Sequence, residues 1–505
     1  MVPSTSLQSL KDAGLVHSIV GDPSVRFVDV QHDSRRVLKN HLFVALKGQM
    51  QDGSRFVQDA ITRGAAAVLA DHAFECHVPL AVAHDARIAL GKVAEKHFAH
   101  PSSSLSVAGI TGTNGKTTLS YLLEAAVFAN AALPAVMGTI EYRGVGLRYD
   151  ANHTTPEADD ISRFARAVLD RGATHLLLEV SSHALALHRV DALDFKVAAF
   201  LNLSQDHLDF HKSLEEYFQS KARLFLDLRP EYGAINIDDE YGKRIADLYP
   251  GKLIRCSFRN EDTEFFCRRL TCSSSGVSME IRTPKGELAI HSRLIGEHNA
   301  YNLLLSLACC HALGLDLEKS VQGIEQLEIV PGRLQPVKTK KQILTFVDYA
   351  HTPDALSSAL RALRKVAKAR ILLVFGCGGD RDQDKRSLMG EVAAKYADLI
   401  VLSNDNPRSE DPDRIIEQIE TGLRRAGELE KVQASQLKSS ARAYACIPDR
   451  REAVAVALEA ASSGDVLLVA GKGHEDYQII GQQRRHFSDF EAIKEADSAL
   501  VEEDA

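Results

Sequence analysis

Apolar and polar positions alternate in blocks along the chain, and the blocks fall into three groups. Over the first hundred residues, apolar runs at 25–30, 42–46 and 65–69 are separated by polar turns and one helical stretch at 56–64. Short apolar runs bounded by turn residues predict buried strands, so this group reads as a small α/β module. A Pro/Ser break at His100-Pro101-Ser102-Ser103-Ser104 predicts a linker. After it, strand-like runs at 105–110, 176–180, 197–203 and 234–237 alternate with helical stretches, one of them beginning at Gly115 and another covering 214–225. That alternation predicts a largely parallel sheet wrapped by helices. A second break at Val330-Pro331-Gly332-Arg333 precedes runs at 343–347, 371–375, 399–403 and 466–470, again interleaved with helices such as 354–368. The expected architecture is α/β in three domains, at 1–100, 101–330 and 331–505. The first is a small substrate domain, the second a P-loop ATPase-like parallel-sheet domain and the third a Rossmann-like domain. The two breaks would let the domains close over substrates.

Composition agrees with several ordinary globular domains. The chain has 505 residues, 45% of them hydrophobic and 25% charged, and at roughly 150 residues per domain three is the expected number. No run of about 18 apolar residues is present, so no membrane insertion is expected. The first residues lack a basic region followed by an apolar run, so no secretory signal is expected either. The 8 cysteines include no CxxC pair, which points to a reducing, cytoplasmic setting and away from a structural zinc site. Cys377 reads as a small packing residue at a strand end. A net charge of −8 disfavours a dedicated nucleic-acid binder. The only notable basic run, Lys338, Lys340 and Lys341, is short.

The strongest local signal is GITGTNGKTT, residues 109–118, between a predicted strand and a predicted helix. Glycines let the backbone turn tightly, so that successive N–H groups and a helix N-terminus face phosphate oxygens. Lys116 would neutralise β- and γ-phosphates, and the Thr117 hydroxyl would ligate Mg²⁺. The pattern G-x-x-x-x-G-K-[ST] is not met strictly, because position 110 is Ile. This variant loop leaves ATPase, GTPase, kinase and ligase open.

Phosphoryl transfer calls for hard oxygen ligands. Glu179 ends one apolar run, and Asp206, His207, Asp209 and His211 follow another. Doubly wound sheets place functional side chains at such strand ends. Lys221, alone in a helical stretch, would ordinarily be a solvated residue. Ser181, Ser182 and His183 lack the surroundings of an acylation motif.

Taken together these motifs resemble the Mur ligase family, the ATP-dependent amide-forming enzymes of peptidoglycan precursor synthesis. The resemblance covers nearly the whole chain. It rests on GTNGKTT at 112–118, EVSSH at 179–183, NLSQDHLD at 202–209, the segment 217–225 around Lys221, GEHNAYN at 296–302, PGR at 331–333 and DYAHTPD at 348–354. It implies ATP contacts at Gly112, Thr113, Asn114, Gly115, Lys116, Thr117, Thr118 and Asn299. It implies catalytic roles for Lys116, Glu179, His207 and Lys221. Thr117, Glu179, His207 and Lys221 would hold Mg²⁺, the last as a carbamate. Carbamoylation needs a neutral amine, hence a site that lowers the lysine pKa.

Further motifs resemble the branch of the family that adds the third residue of the stem peptide: TTPE at 154–157, CGGDR at 377–381 with Lys385 and Arg386, DNPR at 405–408 and GKGHED at 471–476. On that resemblance UDP-N-acetylmuramoyl-L-alanyl-D-glutamate would be held by Ser34, Thr154, Thr155, Ser181 and Arg189. His153 and Leu187 depart from the residues some relatives carry there. The γ-carboxylate of D-glutamate would attack the ATP γ-phosphate, and an amine would then displace phosphate from the acyl phosphate. Asp405, Asn406, Pro407, Arg408, Gly471 and Glu475, with Arg386, would bind the incoming amino acid. A planar guanidinium grips a carboxylate in bidentate fashion. Arg408 would therefore select meso-diaminopimelate, which has a distal carboxylate, over L-lysine, while Glu475 takes the distal ammonium. The alternatives are ligation of L-lysine, a folylpolyglutamate-synthase-like ligase and a GTP-hydrolysing switch protein. No Asn-Lys-x-Asp guanine motif favours the last of these. The expected partners are small molecules only, and the expected state is a cytoplasmic monomer.

Overall fold

The computed structural model describes residues 4–48, 52–341 and 343–503. Three large sheets follow one another along the chain. The first has five strands in the order Ser18–Val20, Leu80–Val82, Ala67–Ala70, His41–Val44, Asp29–Gln31. All neighbours are parallel except the Ser18–Val20 edge. The run at 25–30 splits into Arg26–Phe27, which pairs with Thr5–Ser6, and Asp29–Gln31. The helical stretch at 56–64 is shorter than its pattern: a 3₁₀ turn Gly53–Phe56 leads into Val57–Thr62.

The second sheet has eleven strands and only its centre is parallel. Pro134–Met137, His175–Glu179, Ser106–Thr111, Phe195–Phe200, Tyr232–Asn236 and Lys252–Ser257 form that centre, continued by the first residues of Phe265–Ser273. Antiparallel strands Glu141–Gly144 and Leu147–Asp150 extend one end, and Gly276–Thr283 and Gly286–Ser292 extend the other. The expectation of a largely parallel sheet thus missed two hairpins. Alternate strand residues face opposite cores. Ala108, Ile110 and Leu177 pack with the helices Lys116–Ala129 and Glu297–Ala312, while Val107, Leu176 and Leu178 pack with Ala158–Leu169 and Leu214–Leu226. This two-sided burial makes the strands read as continuous apolar runs.

The third sheet has seven strands centred on Leu344–Asp348, Val466–Ala470, Ile371–Phe375, Leu399–Leu402 and Ala443–Cys446, all parallel. Cys377, just past its strand, is buried with its Sγ 3.6 Å from the Met389 sulfur.

The Pro/Ser break at residue 100 is a tied joint and not a loose linker. Pro101 opens a short helix, Pro101–Ser104, at the position where its missing N–H costs nothing. The buried Glu95, on the first-domain helix Ala86–His97, accepts from Ser102 Oγ at 2.7 Å and from Ser162 Oγ at 2.9 Å. Burial raises the Glu95 pKa, and these hydroxyls oppose the rise.

Candidate functional site

The phosphate loop leaves the C-terminal end of Ser106–Thr111 and enters Lys116–Ala129. Gly112 and Gly115 have φ of 149° and 92°. A Cβ on Gly115 would lie 2.5 Å from Asn302 Oδ1, so the turn requires glycine there. Lys116 folds back along the loop, its Nζ donating to the carbonyls of Gly112 (2.8 Å) and Thr113 (2.9 Å). Lys221 Nζ reaches the same Gly112 carbonyl at 3.0 Å and sits 4.6 Å from the centre of the Tyr217 ring. The expectation for a lone helix lysine is reversed here, since Lys221 is only 1% exposed. Burial, with Lys116 adding repulsion, holds its pKa well below the usual lysine value. Lys116 is lowered by burial as well, against the attraction of Glu179 and Asp206.

Strand ends supply oxygens beside the loop. Thr117 Oγ1 donates to Glu179 Oε2 at 3.1 Å, and Thr139 donates to the same carboxylate through Oγ1 (2.8 Å) and its backbone N–H (3.2 Å). Thr154 Oγ1 lies 3.1 Å from Thr139 Oγ1. Thr155 donates to the Glu179 carbonyl at 2.7 Å and accepts from the Ser181 N–H, while Arg189 Nη1 donates to the Thr155 carbonyl at 2.9 Å. Thr154, Thr155, Ser181 and Arg189 are thereby gathered around the Glu179 strand end. His207 Nε2 is 3.3 Å from Asp206, and burial pushes the imidazole down to about 3. Its ring stands edge-on to His183, with centroids 4.8 Å apart. Ser34 lies away from this cluster, buried in the turn Ser34–Arg36 of the first domain. The same segment meets the second domain through His32–Asp159 and Arg36–Asp160, both at 2.8 Å.

The third sheet closes the other side of a cavity of about 490 Å³ lined by Lys116, Thr117, Thr118, Asn302, Arg333 and Asp354 among others. Arg333 Nη2 donates to Thr117 Oγ1 at 3.0 Å and its guanidinium stacks 4.7 Å from the Tyr349 ring centre. Asn114 Nδ2 donates to Asp354 Oδ2 at 2.9 Å. Lys385 Nζ approaches Asp206 at 3.8 Å. Asn299 stands one step behind the cavity wall. Its Oδ1 accepts from Asn302 Nδ2 at 2.9 Å, so Asn302 is the residue presented there.

The 405–408 loop follows Leu399–Leu402, and the 471–475 loop follows Val466–Ala470. They are joined by Lys472, whose buried Nζ donates to Asp405 Oδ1 (3.2 Å), Asn406 Oδ1 (3.2 Å) and Glu475 Oε2 (3.3 Å). Asn406 Nδ2 also donates to Glu475 Oε2 at 3.0 Å. The neighbouring Lys472 and Arg450 charges keep the Asp405 pKa low despite burial, whereas burial and Asp405 raise that of Glu475. Gly471 has φ of 115°, a conformation that favours glycine, and a Cβ there would make only ordinary contact with Asp405 Oδ2 at 3.4 Å. Arg408, at φ 52°, donates from Nη1 to the Gly379 carbonyl at 2.7 Å. Its backbone is pinned on both sides by the hairpin Tyr477–Ile480/Gln483–His486: Arg408 N–H donates to Ile479 O at 3.1 Å and Gly481 N–H to Arg408 O at 2.7 Å. Pro407 O lies against Gly379, where no side chain would fit.

Arg386 stands behind the loop surface: its fully buried guanidinium is held by Glu410 at 2.8 and 2.9 Å and by Gln418 Oε1 and Gly378 O, with Nε unpaired. Arg381, exposed and flanking Gly378 opposite Arg408, is the second guanidinium at the loop surface. Arg381, Arg333, Lys472, Thr139 and Asp354 were not singled out by sequence reasoning. CGGDR, PGR, GKGHED and DYAHTPD contain four of them, but only the fold shows what their side chains reach.

The three domains of the chain each match a Mur ligase model: the catalytic-domain model at residues 26–101, the middle domain at 110–310 and the glutamate ligase domain at 332–473. The UDP-N-acetylmuramoyl-L-alanyl-D-glutamate--2,6-diaminopimelate ligase of Geobacter metallireducens is 43% identical over 488 residues, covering 92% of this chain and 93% of that protein. The chain belongs to the Mur ligase family. A solved structure of a UDP-N-acetylmuramoyl-L-alanyl-D-glutamate--2,6-diaminopimelate ligase superposes on this Mur ligase with a TM-score of 0.69, at 31% identity over 99% of both chains. Folylpolyglutamate synthase of Mycobacterium tuberculosis shares the fold alone, with a TM-score of 0.60 at 17% identity over 82% of this chain and 94% of that one.

Proposed function

We propose that this Mur ligase joins meso-2,6-diaminopimelate to the D-glutamate γ-carboxylate of UDP-N-acetylmuramoyl-L-alanyl-D-glutamate, using ATP, in cytoplasmic peptidoglycan precursor synthesis. The observation that carries the reading is a run of contacts from the phosphate loop to the 471–475 loop: Arg333 Nη2 reaches Thr117 Oγ1, its guanidinium stacks on Tyr349, and the Tyr349 ring lies 5.1 Å from that of His474, whose neighbour Lys472 binds Asp405. Residues 1–100 hold the uridine end near Ser34, residues 101–330 the ATP, and residues 331–505 the amino acid. The working unit in this reading is a monomer.

Lys116 and the loop N–H groups bind the ATP phosphates. Thr154, Thr155, Ser181 and Arg189 orient the dipeptide so that its γ-carboxylate faces the γ-phosphorus. Attack by the carboxylate oxygen breaks the bond to the β,γ-bridging oxygen, giving an acyl phosphate and ADP. Two anions meet in that step, so fixed cations are needed. The Thr117 hydroxyl and Glu179 carboxylate offer hard oxygens of the kind Mg²⁺ takes, and the Arg333 cation already stands beside them. His207 and Lys221, the latter as a carbamate, would hold a second Mg²⁺. The depressed Lys221 pKa supplies the neutral amine that carbamoylation requires. Mg²⁺ would supply charge neutralisation at the phosphates. Arg408 and Arg381 bind the distal carboxylate of diaminopimelate and Glu475 its distal ammonium. Its other amine, deprotonated, attacks the acyl carbon, and inorganic phosphate leaves.

The test is phosphate release from ATP and the UDP-linked dipeptide, with meso-diaminopimelate and L-lysine assayed side by side. Turnover with diaminopimelate and little with lysine is expected. Preference for lysine would refute the role given to Arg408, and release independent of any amino acid would refute the ligase reading.

A further inference from the structure

Two carboxylates buried side by side normally cannot both stay ionised, because each raises the energy of the other's charge. Asp405 and Glu475 are in that position, on loops from two different strands, and the reading above needs Glu475 as an anion. Lys472 lies between them. It is fully buried, so it meets neither solvent nor any molecule in the crevice. Its ammonium has three donors, and three acceptors stand 3.2–3.3 Å away: Asp405 Oδ1, Asn406 Oδ1 and Glu475 Oε2. Asn406 is oriented as a consequence. With Oδ1 turned to Lys472 and the Ile479 N–H (2.9 Å), its Nδ2 donates to Glu475 Oε2 (3.0 Å). The Lys472 and Asn406 bonds both fall on Oε2 of Glu475, and Tyr477 is a further side-chain partner of this carboxylate.

We infer that Lys472 is a positioning residue for amino-acid specificity. It links the 405–408 and 471–475 loops and holds Glu475 charged for the distal ammonium of the incoming diamino acid. The inference rests on the diaminopimelate reading and deepens it. Other groups facing the pair set its background. Arg450 supports Asp405, and its guanidinium is tied to Asp489 at 2.8 Å. His351 lies on the Asp405 side, and Tyr349 and Tyr477 on the Glu475 side.

The experiment is a double-mutant cycle on the full chain with Lys472→Met, Glu475→Gln and the pair, preceded by wild-type turnover of meso-diaminopimelate. Failure of that first assay removes the ligase reading, and only its success puts Lys472 at issue. Lys472→Met should raise KM for diaminopimelate about 30-fold, with KM for ATP and for the UDP-linked dipeptide within about twofold of wild type. Adding Lys472→Met to Glu475→Gln should cost less than threefold more, because the charge it maintains is already gone. The KM for diaminopimelate in Lys472→Met should fall as pH rises, more steeply than in wild type, as Glu475 regains its charge. The inference is overturned by an unchanged KM, by equal losses for all three substrates, by full additivity in the pair, or by a failure to fold in both backgrounds. The last result would make Lys472 a residue of the fold alone.

Discussion

At the phosphate end of the crevice, the Nζ atoms of Lys116 and Lys221 donate to backbone carbonyls. At the amino-acid end, Lys472 is matched against Asp405 and Glu475. The first arrangement sets the Lys116 Nζ against uncharged carbonyls, which suits a polyanion that brings its own countercharge. The second sets one lysine between two carboxylates and suits a zwitterion that brings an ammonium of its own. The two ends also differ in how they are held. The phosphate loop is braced by its own sheet, through Asn202 Oδ1 on the Asn114 N–H and Asn202 O on the Thr113 N–H. The amino-acid loops are braced from outside, by the hairpin on Arg408 and by Arg386 on Glu410 and Gly378.

Lys116→Ala should break the first end outright, lowering kcat by about 10³-fold with the protein still folded, as removal of a preorganised charge-stabilising group does. Acceptor-dependent phosphate release together with circular dichroism checks it. Arg408→Ala should leave KM for ATP unchanged and raise KM for diaminopimelate by about 30- to 100-fold, or about 2–3 kcal/mol for lost charge-assisted bonds. Equal losses for both substrates would erase the distinction between the ends.

The phosphate end also keeps its neighbouring histidines uncharged, which gives it a pH signature. Burial pushes His211 down to about 4, while the unfolded chain titrates near 6.5. Above pH 6.5 the group is neutral in both states and contributes nothing. As pH falls from 6.5 to 4 only the unfolded chain takes the proton, so stability falls by up to about 1.4 kcal/mol per pH unit. Urea titrations across that range should show the slope, and His211→Asn should flatten it. Asn114→Ala, which removes the 2.9 Å contact with Asp354 across the domains, should be the mildest change, at about threefold in kcat, because that contact is solvent-exposed.

The phosphate end was the more legible in the sequence, and the reason is physical. A loop that binds with backbone N–H groups needs glycines and a lysine at fixed offsets, so chemistry and spacing coincide in GTNGKTT. Glu179 was legible for a similar reason, as a lone acid ending a buried strand. Lys221 was legible only through the family resemblance, because its burial depends on Tyr217 and on a loop 109 residues away. At the amino-acid end the 405–408 and 471–475 motifs located the loops, but the resemblance gave no sign that the helix Asp384–Tyr396 turns Arg386 inward to Glu410. The hairpins at 265–292 were missed although Ser-Gly and Lys-Gly turns mark them. No strand was assigned in that stretch.

The division of labour is tested most directly by trapping the acyl phosphate. Wild type and Arg408→Ala would be mixed with ATP and the UDP-linked dipeptide in a single turnover without amino acid, and the product captured with hydroxylamine as the hydroxamate. Equal rates of hydroxamate formation in the two proteins, with transfer to diaminopimelate lost only in the variant, are the predicted result. An acyl phosphate that fails to form in Arg408→Ala would contradict the account, because the amino-acid end would then be needed for chemistry assigned wholly to the other.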